Sequence, residues 1–411
     1  MIKTKINDIN QELQNKLVNQ ERAKAFRVIG WILRILFGVV FLYSGFVKAI
    51  DPLGHTYKML DYLQAMNLPQ PYNLTLIMAI AMIALEFVVG LGLMVGIKVK
   101  FLSWIGLLLM LFMTPLTLWL ALTNAVSDCG CFGEALKISN WATFWKNVVL
   151  LIMIIAILIL EKYRKPYLKM LPSWIVTIAF FAIPIAISAH CLYHLPIIDF
   201  MPYAIGKNIP QQMEIPEDAP MDEFETSFTY KNRQTGEEKL FESLADAPWN
   251  DTINWEYVSQ NTKLIKKGYE PPIHDLAIIS PEFGDITEEI LSDTNYVFLF
   301  VMYNLDLTND RHIVELNKIY AQMSEKGCQV AGLTASSPAE IERFTQTNGV
   351  LFPFYIVDAI PLKTMVRANP GIVILKNGTI IDKWNANDNS KRFADFRAKT
   401  EIKFDNKILN N

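Results

Sequence analysis

The run VIGWILRILFGVVFLYSGFV, Val28 to Val47, carries one charged side chain, Arg34, in 20 residues. A helix rises about 1.5 Å per residue, so about 20 apolar residues cross the hydrocarbon core of a bilayer. Four further runs come close to that length or exceed it: Leu74–Gly96, Phe101–Leu122, Thr143–Leu160 and Trp174–His194. All of them precede residue 195, and most acidic residues follow it. The chain of 411 residues is 52% hydrophobic, with a mean hydropathy of +0.22. It divides into a membrane half and a soluble half. The formal net charge of −3 offers no basic surface, so no nucleic-acid partner is expected.

Residues 1–25 are polar and read as a helical segment. They are too long and too polar for the start of a cleaved signal, so the first span is expected to remain as an anchor. Lys3, Lys5, Lys16, Arg22, Lys24 and Arg27 precede that span. Lys98 and Lys100 lie between spans two and three, and Lys162, Arg164, Lys165 and Lys169 between spans four and five. The alternate loops hold fewer, Lys48 and Lys58 in one, Lys137 and Lys146 in the other. Five spans put the basic-rich segments on one side, and the positive-inside rule makes that side cytoplasmic. The loop SDCGCFGEALKISNW, Ser127 to Trp141, would then face outside with the end of span five and the whole C-terminal half. That compartment permits disulfides. The expectation is a multi-pass protein of the bacterial inner membrane, with a cytoplasmic N-terminus and an extracytoplasmic C-terminal domain.

Residues 196–222 are rich in Pro and acidic side chains and read as an extended linker. Residues 223–270 hold strand-like stretches and read as a small β extension. From 271 to 400 strands and helices alternate, before a short tail over 401–411. YVFLFVMY (Tyr296–Tyr303) is a continuous apolar run, as in a strand buried on both faces. DRHIVELNKIYAQMSEKG has helical spacing, SPAEIERFTQTNG has Pro338 in its first turn, and PGIVIL and TIIDKW flank an Asn-Gly turn.

This order resembles the thioredoxin fold, in particular its membrane-tethered extracytoplasmic members. In ANPGIVIL, Pro370 occupies the position of that family's cis-proline. The family's Cys-x-x-Cys would fall in YNLDLTNDRH, Tyr303 to His312, which has no cysteine. Cys328, the one cysteine of the region, opens a strand and reads as a small buried residue. The resemblance therefore implies a domain that has kept the fold and lost dithiol chemistry. In the membrane half, GVVFLYSGFVKAIDPLG (Gly38–Gly54) and CGCFG resemble the DoxX and MauE-like family over residues 26–160, with Gly45, Lys48, Asp51 and Pro52 as motif residues. Span five, completing a bundle over 26–195, is an addition. The resemblance implies a role in disulfide-dependent maturation of an extracytoplasmic protein beside a thioredoxin-like partner. The fold class expected is thus an all-α transmembrane bundle plus an extracytoplasmic α/β thioredoxin-like domain.

Several side chains are candidates for function. Glu86 falls near the middle of span two, where an ionisable group is costly unless paired or protonated. Arg34 would snorkel to the cytoplasmic surface or pair with Glu86. Lys48 and Asp51 would pair at the mouth of the bundle or form a solvated boundary. Pro115, with Thr114 and Thr117, would kink span three, and Gly90, Gly92 and Gly96 suit close helix packing. His190 and His194 share one face of span five, with Cys191 adjacent.

Three uses of these residues stay open. Cys129 and Cys131, with Cys191 as a third thiol, would form a thiol–disulfide exchange site, and the chain would be a component of such an oxidoreductase. A disulfide across one glycine is strained and therefore exchangeable. Alternatively, a static bridge from Cys129 or Cys131 to Cys191 would tie the loop to span five in a non-catalytic scaffold. The third use is a metal site of Cys129, Cys131, His190 and His194, suited to zinc or copper. No cofactor is firmly implied, with quinone and metal both open, and the partners expected are the lipid bilayer and an extracytoplasmic protein.

Overall fold

The structure is a computed structural model that describes residues 2–126, 128–163, 170–266 and 268–400. The side chains of 2–13, 15, 170–173 and 264 lie outside the description. So do the basic residues Arg164, Lys165 and Lys169 and the 401–411 tail.

Among the described residues, six α-helices make the membrane half: α1 (Ile2–Ile50), α2 (Pro52–Ala65), α3 (Tyr72–Val95), α4 (Val99–Thr123), α5 (Asn140–Leu160) and α6 (Met170–Tyr193). Five of them are long and apolar enough to cross a membrane, namely all but α2. The polar N-terminal segment is continuous with span one rather than separated from it. Apolar side chains such as Leu108, Leu122, Ile152 and Ile178 remain exposed on the bundle. That arrangement suits lipid, which is as apolar as they are. The protein is a multi-pass membrane protein.

Helices α1 and α3 pack backbone to backbone, because glycine removes the side chains that would hold them apart. A Cβ on Gly45 would stand 2.7 Å from the Phe87 nitrogen, and one on Gly90 2.4 Å from the Leu42 nitrogen. Helix α4 holds Pro115, and Thr117 Oγ1 donates back to the carbonyls of Met113 and Thr114 at 3.0 Å.

The C-terminal half contains α7 (Ile209–Met213), β1 (Glu223–Asn232), β2 (Glu238–Phe241), β3 (Trp255–Lys266), β4 (Ile279–Ser280), β5 (Gly284–Asp285), α8 (Thr287–Ser292), β6 (Tyr296–Val301), α9 (Ile313–Ser324), β7 (Gln329–Thr334), α10 (Pro338–Asn348), β8 (Phe354–Ile356), α11 (Ala359–Met365), β9 (Gly371–Lys376), β10 (Thr379–Asn385) and α12 (Asn389–Lys399). Strands β1–β3 form a separate antiparallel sheet in the order β2-β1-β3. The main sheet runs β10-β9-β6-β7-β8-β4-β5. Strand β6 is parallel to β7 across α9 and antiparallel to β9, which pairs antiparallel with β10. This is a thioredoxin-like arrangement. Alternate residues of β6 enter two cores, as a strand period of two requires. Phe298, Phe300 and Met302 join Ile372, Ile374 and Trp384, while Val297, Leu299 and Val301 join Val373 and Leu375. The Asn369–Pro370 bond is cis.

The expected linker is not a free connection. Tyr203 and Ile209 belong to the domain core, and Asn208 bridges to Thr379. Its apolar residues outweigh the Pro-rich composition on which the reading as a linker rests.

Candidate thiol site at the bundle end

Helix α1 turns Phe37, Phe41, Ser44 and Lys48 inward at spacings of four, three and four, all buried. The close approach to α3 brings Glu86 against them. Lys48 Nζ donates to both Glu86 oxygens, at 2.8 and 2.9 Å. Ser44 Oγ stands 2.9 Å from Glu86 Oε2 and 2.6 Å from the Cys131 carbonyl oxygen. The Ser44 hydroxyl thus lies between the ion pair and the backbone of the cysteine loop.

That loop is held on its other side by α2. Tyr62 donates its hydroxyl proton to the Cys129 carbonyl. Lys58 Nζ pairs with Asp128 Oδ2 at 2.9 Å, and Asp128 Oδ1 accepts from the Gly130 amide at 2.8 Å. Gly130 takes φ +61°, and a Cβ there would meet Lys58 Cγ at 3.0 Å. Glycine is the residue that makes this turn without strain. The turn sets the Sγ atoms of Cys129 and Cys131 2.8 Å apart, both as free thiols.

The two thiols differ in acidity. The hydrogen bond from Cys129 lowers Cys131 to about 6, with the Lys146 and Lys48 ammonium groups acting in the same direction and burial opposing. Cys129 moves the opposite way, well above the ordinary thiol range, because it gives up its proton last within that bond and is itself buried. Cys131 lines a cavity of about 40 Å³ together with Ser44, Lys48, Glu86, Lys146 and Asn147, walled by Phe41 and Met110. A water needs about 10–15 Å³ of such space, so the thiol has room for small polar molecules beside it. Lys146 Nζ lies 4.4 Å above the Phe132 ring. A thiolate beside cations, a second thiol in contact and a neighbouring carboxylate are the parts that thiol–disulfide exchange uses.

Several sequence expectations are corrected here. Glu86 takes Lys48 and Ser44 as partners, not Arg34. Arg34 lines a small pocket with Arg27 and Glu161 toward the other end of span one. Lys48 is neither a loop lysine nor a partner of Asp51, because the inward face of α1 continues through it and buries it. Asp51 accepts instead from Arg367 of the C-terminal domain, at 3.0 and 3.1 Å from Nε. Pro52 occupies the first turn of α2. Cys191 is buried, but its polar neighbours are the Ile197 backbone and Asp51 rather than the paired thiols. The rings of His190 and His194 are tilted against each other with centres 4.6 Å apart, and His194 Nδ1 meets Asp388 Oδ1 of the C-terminal domain at 2.6 Å. Among the described residues, no three His, Cys, Asp or Glu side chains converge as a metal site would require. The four-ligand set of Cys129, Cys131, His190 and His194 is therefore not assembled.

The C-terminal domain seats on the same end of the bundle. Asn385 and Asn387 donate to the carbonyls of His194 and Tyr193 at 3.2 and 2.8 Å. They satisfy carbonyls that a helix C-terminus leaves open. Tyr303, in the segment where the thioredoxin family places its first cysteine, meets Tyr57 of α2, hydroxyl to hydroxyl at 3.3 Å. Lys363 Nζ and Arg367 Cζ lie 4.9 and 5.6 Å from the Tyr57 ring centre. Cys328 is half-buried behind the core, and burial raises its thiol.

Residues 27–160 match the family model of the methylamine utilisation protein MauE. Residues 224–267, the small sheet, match the model of a domain of unknown function. No curated protein matches the chain. Among solved structures, the Xanthomonas campestris bacterioferritin comigratory protein, whose description concerns alkyl peroxide reduction, is 12% identical. It aligns over 31% of this chain and 92% of its own, with a TM-score of 0.25. A cysteine-to-serine mutant of Xanthomonas campestris peroxiredoxin Q is 13% identical over 30% of this chain and 89% of its own, TM-score 0.23. A Xylella fastidiosa peroxiredoxin Q mutant is 14% identical over 31% and 90%, TM-score 0.23. These likenesses are slight, and the thioredoxin-like assignment stands on the strand order.

Proposed function

We propose that this protein exchanges thiols and disulfides at Cys129 and Cys131, on the extracytoplasmic face of the bacterial inner membrane, in the maturation of a partner protein. The observation that carries the reading is the contact between the two sulfurs beside the Lys48–Glu86 pair and Lys146. In the oxidising direction, a partner thiolate attacks the Cys129–Cys131 disulfide and forms a mixed disulfide, releasing one loop thiolate. A second partner thiolate then displaces the remaining loop sulfur. The partner loses two electrons and two protons to the pair, which becomes two thiols. In reverse, Cys131 is the attacking thiolate and Cys129 resolves the mixed disulfide. The thioredoxin-like domain supplies no thiol to this chemistry, consistent with the absence of cysteine from the segment Tyr303–His312.

Alkylation trapping in intact membranes tests the reading. Cys129 and Cys131 are expected to divide between free and bridged forms, and added oxidant should shift the ratio. Cys129→Ser and Cys131→Ser should each abolish the shift, and one of them should accumulate a mixed disulfide. Thiols that remain fully alkylatable under oxidant, or a bridge that resists reductant throughout, would overturn it.

A further inference from the structure

Among the six described α-helices of the membrane half, α2 is not long and apolar enough to cross a bilayer, so membrane thickness does not fix its position. It is fixed by contacts at both of its faces. At its start, Asp51 caps the helix by accepting from the Gly54 amide at 2.9 Å. The same carboxylate receives Arg367 Nε at 3.0 and 3.1 Å and Arg367 Nη2 at 3.0 Å, with Arg367 only 7% exposed. Toward its end, Lys58 and Tyr62 hold Asp128 and the Cys129 carbonyl. Eleven residues separate Asp51 from Tyr62, about 16 Å of rigid helix. A continuous set of direct bonds thus runs from the loop before Pro370 to the cysteine turn.

We propose that Arg367 is a positioning residue for the Cys129–Cys131 pair: through Asp51 and α2, the thioredoxin-like domain sets how the two thiols sit and exchange. This rests on the exchange reading above. A bidentate guanidinium–carboxylate pair fixes angle as well as distance. Loss of the fork frees the start of α2, and the loosened helix no longer holds Asp128 and Cys129 in one geometry. The domain carries no Cys-x-x-Cys, yet the loop before its cis-proline acts on a dithiol, one carried by the bundle.

The test is a double-mutant cycle on the full chain in lipid nanodiscs. The readouts are the equilibrium constant of the thiol pair against glutathione and the pH profile of Cys131 alkylation. Asp51→Asn keeps the cap, since Asn caps as well as Asp, and removes the charge. Arg367→Gln removes the fork and the charge, and Arg367→Lys keeps the charge alone. Asp51→Asn and Arg367→Gln should each change the equilibrium constant roughly three- to tenfold, and the double variant no more than either single. Arg367→Lys should show part of the change, and it completes the cycle if Arg367→Gln does not accumulate. Unchanged constants and pH profiles in the single variants, with the wild-type pair exchanging normally, overturn this inference alone. So do strictly additive effects. A wild-type pair that does not equilibrate with glutathione overturns the exchange reading itself.

Discussion

The Glu86 carboxylate lies 2.8 and 2.9 Å from the Lys48 ammonium inside the bundle, and both side chains are buried. Each ion is tolerated there because of the other. A buried pair contributes little net stability, but removing one partner strands a charge, at a cost of about 3–5 kcal/mol. Glu86→Gln and Lys48→Met are each expected to lower the unfolding midpoint in detergent sharply. The double variant Lys48→Met with Glu86→Gln should recover much of that loss while slowing Cys131 alkylation at neutral pH. Recovery of stability together with wild-type alkylation would show that the pair serves packing alone.

Gly45 permits the helix contact that brings this pair together. Gly45→Val places atoms inside the space of the Phe87 backbone, which cannot move aside as a flexible side chain would. Overpacking of this kind costs about 1–3 kcal/mol. Reduced abundance in the membrane and disrupted exchange are expected in the same variant. Wild-type thermal stability for Gly45→Val would refute the close α1–α3 approach.

Orientation is expected from the lysine and arginine distribution. A periplasm-active reporter fused after Asn411 should be active, and a cytoplasm-active one should not. Activity of the cytoplasmic reporter would place the thiols in a reducing compartment and remove the physical basis for a disulfide there.

The spans and the alternating domain were legible in the sequence because each rests on a local signal, such as the run of Val28–Val47 or the two-faced apolar run of Tyr296–Tyr303. The closeness of Cys129 to Cys131 was legible from their spacing. The polar shell around them was not, because it is assembled from α1, α2, α3 and α5, whose contacts follow from packing. One signal was available. Phe37, Phe41, Ser44 and Lys48 repeat at helical spacing on the side of Gly45's neighbours, which marks Lys48 as inward. Arg367 carried no such mark, since its partner Asp51 lies 316 residues away. Cys191 was placed with the loop on membrane level alone, and level does not fix position around a bundle.

The acidity of Cys131 gives the most direct handle on the chemistry. With its thiol lowered to about 6 by the neighbouring Cys129 and the cations, Cys131 is expected to be more ionised at pH 7 than an ordinary thiol near 8.5, which is a few per cent thiolate. Stability is a poor readout of this. A lowered thiol adds stability above its unfolded value and loses it as pH falls through about 6, but the raised Cys129 thiol acts with the opposite sign. Alkylation reports the thiolate directly. In the reduced protein, the rate at Cys131 should rise with pH to a plateau, with its midpoint near 6. Lys146→Met removes one of the cations that hold the thiolate, so the midpoint should move up. The rate at pH 7 should then fall and converge with wild type near pH 9. Convergence separates a change in acidity from a loss of access, which would lower the rate at every pH. Cys328→Ser should leave the profile unchanged, since that thiol is raised by burial and lies in the other half of the chain. A midpoint near 8.5 for the wild-type protein, unmoved by Lys146→Met, would show that neither the neighbouring thiol nor the cations act on Cys131 as the geometry requires.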